Sequence, residues 1–162
     1  MIVSTSWSYT AEEKQKVEQF LGQQFKQQTP KPARLWVKGQ LKSTISKILN
    51  RTSKQLSYRY WRSQGKTIWL LDEIGKERNI TTAVVVRNKQ ISEIKVVVYR
   101  ESRGGEVQVP WFTEQFKGAD SQSNWQHNID SISGATLSVN AIKIQAELAL
   151  YLNSLLPEQK QP

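Results

Sequence analysis

The sequence predicts an α+β fold: a twisted, mainly antiparallel sheet with an N-terminal helix and a long C-terminal helix packed against it. Three observations predict it. Between Thr67 and Arg100 lie three consecutive strand-like runs, two of them centred on the β-branched triplets Val84–Val86 and Val96–Val98. Apolar residues recur at helical spacing near the N-terminus, and a long apolar helix pattern closes the chain. With 162 residues, 38% of them hydrophobic, the chain has material for one compact core, so disorder, collagen and low complexity are excluded.

From Thr10 to Gln28, Val17, Phe20, Leu21 and Phe25 form one apolar stripe, and Thr10 with Glu13 reads as a capping box. Thr29-Pro30-Lys31-Pro32 ends this helix and leads to a short strand, Ala33 to Lys38, after which Gly39 turns the chain. Ser43 to Asn50 reads as a helix. Gln55 to Arg62 alternates polar residues with Leu56, Tyr58 and Tyr60, as a half-exposed strand does. Strands follow over Thr67 to Ile74, Ile80 to Arg87 and Ile91 to Arg100, the last two joined by Asn88-Lys89-Gln90. Their continuous β-branched runs fit strands covered on both faces. Gly104-Gly105 reads as a flexible loop. Pro110 opens a short helix, Trp111 to Phe116, closed by Gly118, and a polar loop spans Ala119 to Asn128. The final helix runs from about Leu137 to Leu156 and stops at Pro157. The expected organisation is a basic N-terminal part, 1–65, within the same compact unit, a domain over 66–156 and a tail, 157–162.

Cysteine is absent, which excludes disulfides, thiolate metal sites and cysteine nucleophiles. The single histidine, His127, makes Ser–His triads and histidine-rich metal sites untenable. No window approaches the ~18 to 20 apolar residues of a bilayer span, and Met1 to Tyr9 lacks the regions of a signal peptide, so the chain as it stands reads as soluble.

Charge is distributed unevenly. Residues 31–66 hold ten Lys/Arg and no acid, which leaves thirteen basic against fourteen acidic residues in the rest of a chain of net charge +9. With Trp36, Tyr58, Tyr60 and Trp61 interleaved, this segment suits nucleic acid, an anionic membrane surface, an acidic redox partner, or merely a solvated basic face. No RNP motif, KH loop or zinc ligand set accompanies it, so nucleic acid ranks low.

The chemistry-bearing stretch is Asp130-Ser131-Ile132-Ser133-Gly134-Ala135-Thr136, at the mouth of the long helix. Unsatisfied first-turn amides and the positive end of the helix dipole suit an anion such as phosphate, and Gly134 and Ala135 leave room for close approach. An ordinary N-cap by Ser133, Thr136 or Ser138 explains the same residues.

These seven residues resemble the flavinylation motif, D-x-x-(S/T)-G-A-T, of FMN-binding domains similar to the covalent-flavin components of the sodium-pumping NADH:quinone oxidoreductase and of the related Rnf complex. Ile91 to Val98 resembles the strand preceding that family's flavin loop, Trp111 to Gly118 its W-F-x-x-F-K-G helix, and Leu137 to Ala141 its helix start. The resemblance spans about Lys66 to Leu156. It implies an electron carrier rather than an enzyme with its own substrate, with covalent FMN joined by a phosphoester bond to Thr136. A separate magnesium-dependent flavin transferase would install it from FAD. Asp130 would be read by the transferase or bind its metal, or else would cap the turn. Ser131, Ser133, Gly134 and Ala135 complete the motif, and Gly104 and Gly105 would approach the ring.

One departure bears on that ring. Glu101-Ser102-Arg103-Gly104-Gly105-Glu106 stands where many members have E-T-P-G-L-G. Arg103 is then either a cation near the flavin, stabilising its reduced anionic form, or an exposed loop residue. Trp111, Phe112 or Trp125 offers a flat apolar wall, although Phe112 and Phe116, four apart, also read as core. His127 reads as a loop residue. The resemblance also implies work at the outer face of the cytoplasmic membrane, in the periplasm, beside a membrane redox protein.

Overall fold

The computed structural model describes residues Tyr9 to Gln159; all but Tyr9 of the stretch read for a signal peptide and the last three residues of the tail fall outside them. Five strands form one antiparallel sheet in sequence order: β1 (Ala33–Trp36), β2 (Ser57–Ser63), β3 (Lys66–Ile74), β4 (Asn79–Arg87) and β5 (Gln90–Val98). Helix α1 (Ala11–Gln24) precedes the sheet and α2 (Gln40–Leu49) lies between β1 and β2. A short helix α3 (Pro110–Thr113) continues as a 3₁₀ turn to Phe116, and α4 (Thr136–Ser154) closes the fold. No helix among the described residues is long and apolar enough to cross a membrane.

Side-chain alternation divides the sheet between two cores. Ile68, Leu70, Ala83 and Val85 face one way and pack with Val17, Phe20, Leu21 and Phe25 of the α1 region. Trp69, Leu71, Ile80, Val84 and Val86 face the other way, against α4, α2 and the α3 segment. The consequence is visible in β4, where every residue from Ile80 to Val86 is buried. A strand enclosed on both faces reads as an unbroken apolar run, which is why its sequence looked as it did.

Two bulges shape β5. Ser92 and Val97 have no partner in the register with β4. The first keeps both Ile91 and Ile94 on the α4 side despite their odd spacing, as an extra residue in one strand does. The β2–β3 and β4–β5 turns, Gln64-Gly65 and Asn88-Lys89, take positive φ at both positions, the conformation that matches strand twist.

The structure departs from the sequence reading at element ends. α1 stops at Gln24 rather than Gln28, because Lys26 and Gln27 adopt positive φ while Phe25 turns into the core. α2 starts three residues before Ser43, at Gln40. Gln145, read as an interruption of the apolar helix, is buried and fully used: its Nε2 donates to Leu71 O (3.0 Å) and Ile80 O (2.8 Å), and its Oε1 accepts from the Thr82 hydroxyl (2.8 Å). A buried polar side chain is tolerated when each of its groups is paired.

Candidate functional site: the mouth of helix α4

Gly134, at φ 80°, turns the chain into α4, and Ala135 occupies the N-cap. A methyl side chain cannot accept a hydrogen bond, and no side chain caps this helix. The amides of the first turn, at Thr136, Leu137 and Ser138, therefore have no side-chain cap at the positive end of a 19-residue helix, where an anion is favoured. Of the three hydroxyls expected as caps, Ser133 and Thr136 are exposed, while Ser138 is buried with its Oγ 3.0 Å from the Tyr99 hydroxyl. Thr136 thus stands at the first helical position with its side chain in solvent. Asp130, Ser131 and Gly134 are exposed beside it in sequence, and Ala135 is buried in the core.

A second wall comes from the loop after β5. Gly104 has φ 81°, and a Cβ there would lie 2.8 Å from the Tyr99 hydroxyl, 3.0 Å from Ser138 Oγ and 3.4 Å from Ala135 Cβ. Only glycine suits both the backbone and the space. The Tyr99 hydroxyl donates to the Arg103 carbonyl and meets Ser138, so it clamps this loop to the first turn of α4. Burial keeps that hydroxyl protonated above its usual range, and the carboxylates of Glu101 and Glu106 push the same way. Gly105 is not part of the clamp but opens the 3₁₀ turn Gly105–Gln108.

The third component is the α3 segment. Gln115 Oε1 accepts the Asp130 backbone N–H at 2.8 Å, which ties the segment to the start of the motif. Its aromatic rings divide by position. Phe112 is fully buried, edge-on to Phe116 at 5.6 Å, and Trp125 is buried with its ring 5.6 Å from Phe116. Phe112 takes the core alternative, and Trp125 is buried as well, so neither presents a face at the surface. Trp111, 55% exposed, is the one of the three that presents an aromatic surface. Arg103 is exposed on the loop after β5, and His127 is exposed on the 3₁₀ turn Trp125–Asn128.

Sequence reasoning placed Thr136 and the motif, but it missed Tyr99 and Gln115, whose roles depend on residues 39 and 15 positions away. Four clefts of about 330 to 560 Å³ open elsewhere on the described surface, and none is lined by motif residues. The site is an open platform: uncapped first-turn amides, an exposed hydroxyl and a glycine clamp. These groups fit the phosphate end of a flavin mononucleotide. A search of curated proteins found no match. The family model of the FMN-binding domain matches residues 75–151, from the β3–β4 turn through the loop, the motif and most of α4. Residues 75–151 thus match the FMN-binding domain family, which supports a flavin-binding, electron-transfer role for the chain.

Proposed function

We propose that the protein is an electron carrier whose FMN is attached through a phosphoester bond to Thr136. One observation carries the reading: an exposed threonine hydroxyl at the first position of a long helix whose amides no side chain caps. When bound, FMN supplies one- or two-electron redox chemistry. Attachment from FAD forms a bond between Thr136 Oγ and the phosphorus of the FMN half and breaks the pyrophosphate linkage. AMP leaves, and the threonine proton passes to a base of the separate, magnesium-dependent transferase. The product phosphodiester keeps one negative charge, which the α4 amides hold. The openness of the platform supports a tether: noncovalent sites bury most of a ligand of this size, whereas a covalent bond needs no enclosure. Trp111 is the aromatic surface available to the ring.

The partner side of this reading lies at the opposite edge of the sheet. Lys31, Lys38, Lys42, Lys47 and Lys54 are exposed and form no ion pair among the described residues. They suit an acidic redox partner or the anionic surface of the membrane that carries it, on the periplasmic side.

The test is co-production with a flavin transferase, followed by intact mass and peptide mapping. The expected result is a yellow protein heavier by FMN less one water, with the added mass on Thr136, and a colourless, unmodified but folded Thr136→Ala variant. Flavin that dissociates on denaturation, or modification elsewhere, overturns the reading.

A further inference from the structure

Where β5 runs out, three consecutive side chains fasten the chain in three directions. Tyr99 reaches the mouth of α4. Arg100 reaches α1 and β4, with its Nε 2.9 Å from Glu13 Oε1 and its Nη1 donating to Asn79 O at 2.8 Å. Glu101 reaches the β3–β4 turn. There a single oxygen, Oε1, accepts the successive backbone amides of Lys76, Glu77 and Arg78 at 2.6, 2.7 and 2.9 Å. Three consecutive N–H groups converging on one point form an anion nest, and here the anion is the protein's own carboxylate.

The turn is shaped for this occupant. It is closed by Gly75 N donating to Arg78 O at 3.0 Å, and a Cβ on Gly75 would lie 3.1 Å from the Glu101 oxygen and 3.0 Å from Ile80 Cδ1. Any side chain at that position would crowd the carboxylate. Glu101 is separated from Gly104 by two residues only, so whatever fixes Glu101 fixes the approach of the loop to Ala135 and Ser138. The Tyr99 clamp holds one side of the loop root, and the nest holds the other.

We propose that Glu101 is a positioning residue for the flavin platform: seated in the amide nest of residues 76–78, its carboxylate sets the 102–105 loop against the mouth of α4. For its effect on flavin, the inference rests on the function proposed above, while the latch itself stands on the nest alone. Without the carboxylate, three amides turn to water and the loop is held from the Tyr99 side only. The glycine clamp then loosens while both cores stay intact.

The test separates these parts. Amide hydrogen exchange on the full chain without flavin is compared among wild type, Glu101→Ala, Gly75→Ala and Glu106→Gln, the last an exposed carboxylate on the same loop. Exchange at residues 76–78 and at Val107, whose amide donates to the Gly104 carbonyl, is expected to rise at least tenfold in the first two variants and to stay at the wild-type rate in Glu106→Gln, with α4 protected throughout. Faster exchange at 76–78 with Val107 unchanged overturns the proposal, because the nest is then local. In flavin-loaded protein, Glu101→Ala is expected to shift the flavin absorption band and reduction potential while Glu106→Gln shifts neither; an unshifted spectrum and potential in Glu101→Ala overturns the link to the platform. If wild type carries no flavin on Thr136, the proposed function falls, and the exchange experiment still decides the latch.

Discussion

The stretch 75–151 and the segment 31–66 contribute to one sheet, yet they carry charge in opposite ways. The first holds nine basic and eight acidic residues; the second holds ten basic and none acidic. The near-neutral region bears the candidate chemistry, and the basic region bears the excess field. Within the basic region the structure divides the cations again. Arg51 pairs with Glu73 at 3.1 Å, Arg34 donates to Ser57 Oγ at 3.0 Å, Arg62 donates to the Pro157 carbonyl at 2.5 Å, Lys66 donates to the Gln24 carbonyl, and Arg59 lies over the Trp61 ring at 5.9 Å. About half of what looks like a docking charge is therefore spent on tying β1, β2 and α2 to their neighbours. The lesson is one of placement. β1, in the basic segment, and β5, which leads into the loop beside the α4 mouth, are the two opposite edges of the sheet, about 19 Å apart at four strand spacings of ~4.8 Å.

If the two regions are one cooperative unit, breaking their seam destabilises both. Gln145 ties the first region to β3, the strand between the two, since from α4 it holds a carbonyl of β3 and a carbonyl and hydroxyl of β4. Gln145→Ala strands three buried polar groups, each worth ~1 to 3 kcal/mol when unpaired, discounted for water entering the space. The expected loss is about 4 kcal/mol in urea unfolding, with tryptophan fluorescence and far-UV circular dichroism falling in a single shared transition. Two separated transitions would divide the molecule at this seam.

If the regions are functionally separate, charge reversal in one spares the other. Lys38→Glu/Lys42→Glu/Lys54→Glu removes three cations worth about 1 kcal/mol each at an anionic surface, so binding to anionic vesicles at low salt is expected to fall roughly 100-fold or more. Flavin incorporation at Thr136 is expected to match wild type. A parallel fall in incorporation would mean that the transferase, too, uses the basic edge.

How much of this was legible follows from the range of each interaction. β4 was readable because burial on both faces writes an unbroken, largely β-branched run into the sequence, β3 because it is apolar from Ile68 to Leu71, and β5 because its β-branched residues recur between polar ones. Thr136 was readable because a motif and a helix start are both local. The end of α1 was not, because Lys26 and Gln27 continue an acceptable helical composition and only Phe25 turning into the core stops it. Nor was the placement of α1 and α4 on opposite faces, since strand patterning shows that both faces are covered and not by what. Tyr99, Gln115 and Glu101 were invisible as site residues for one reason: each acts on a backbone or hydroxyl group 15 to 39 positions away. Phe112 shows the converse, an aromatic residue in the right motif whose face is spent on the core.

The smallest effect is electrostatic, and it contrasts the α1 junction with the flavin corner. Arg100 beside Glu13, and the amides of Arg78 and Glu77 on Glu101, hold both carboxyls below their ordinary value of 4.5. Their folded-state advantage is complete above pH 4.5 and is lost as pH falls through the lowered values. Asp72 has the opposite sign. Burial raises its carboxyl above the ordinary 3.8, against the opposing hydrogen bonds from Thr81 and Tyr9, so a penalty present at neutral pH is relieved as pH falls through the raised value. The wild-type stability curve is therefore expected to be shallow between about pH 5 and 3, because the two trends offset one another. Asp72→Asn is expected to unmask the loss and steepen the acid side of the curve, whereas Glu13→Gln with Glu101→Gln is expected to flatten or invert it. Midpoints of thermal unfolding at half-unit pH steps measure this. An Asp72→Asn curve as shallow as wild type would remove Asp72 from the balance and leave the α1 junction and the loop root with no opposing partner.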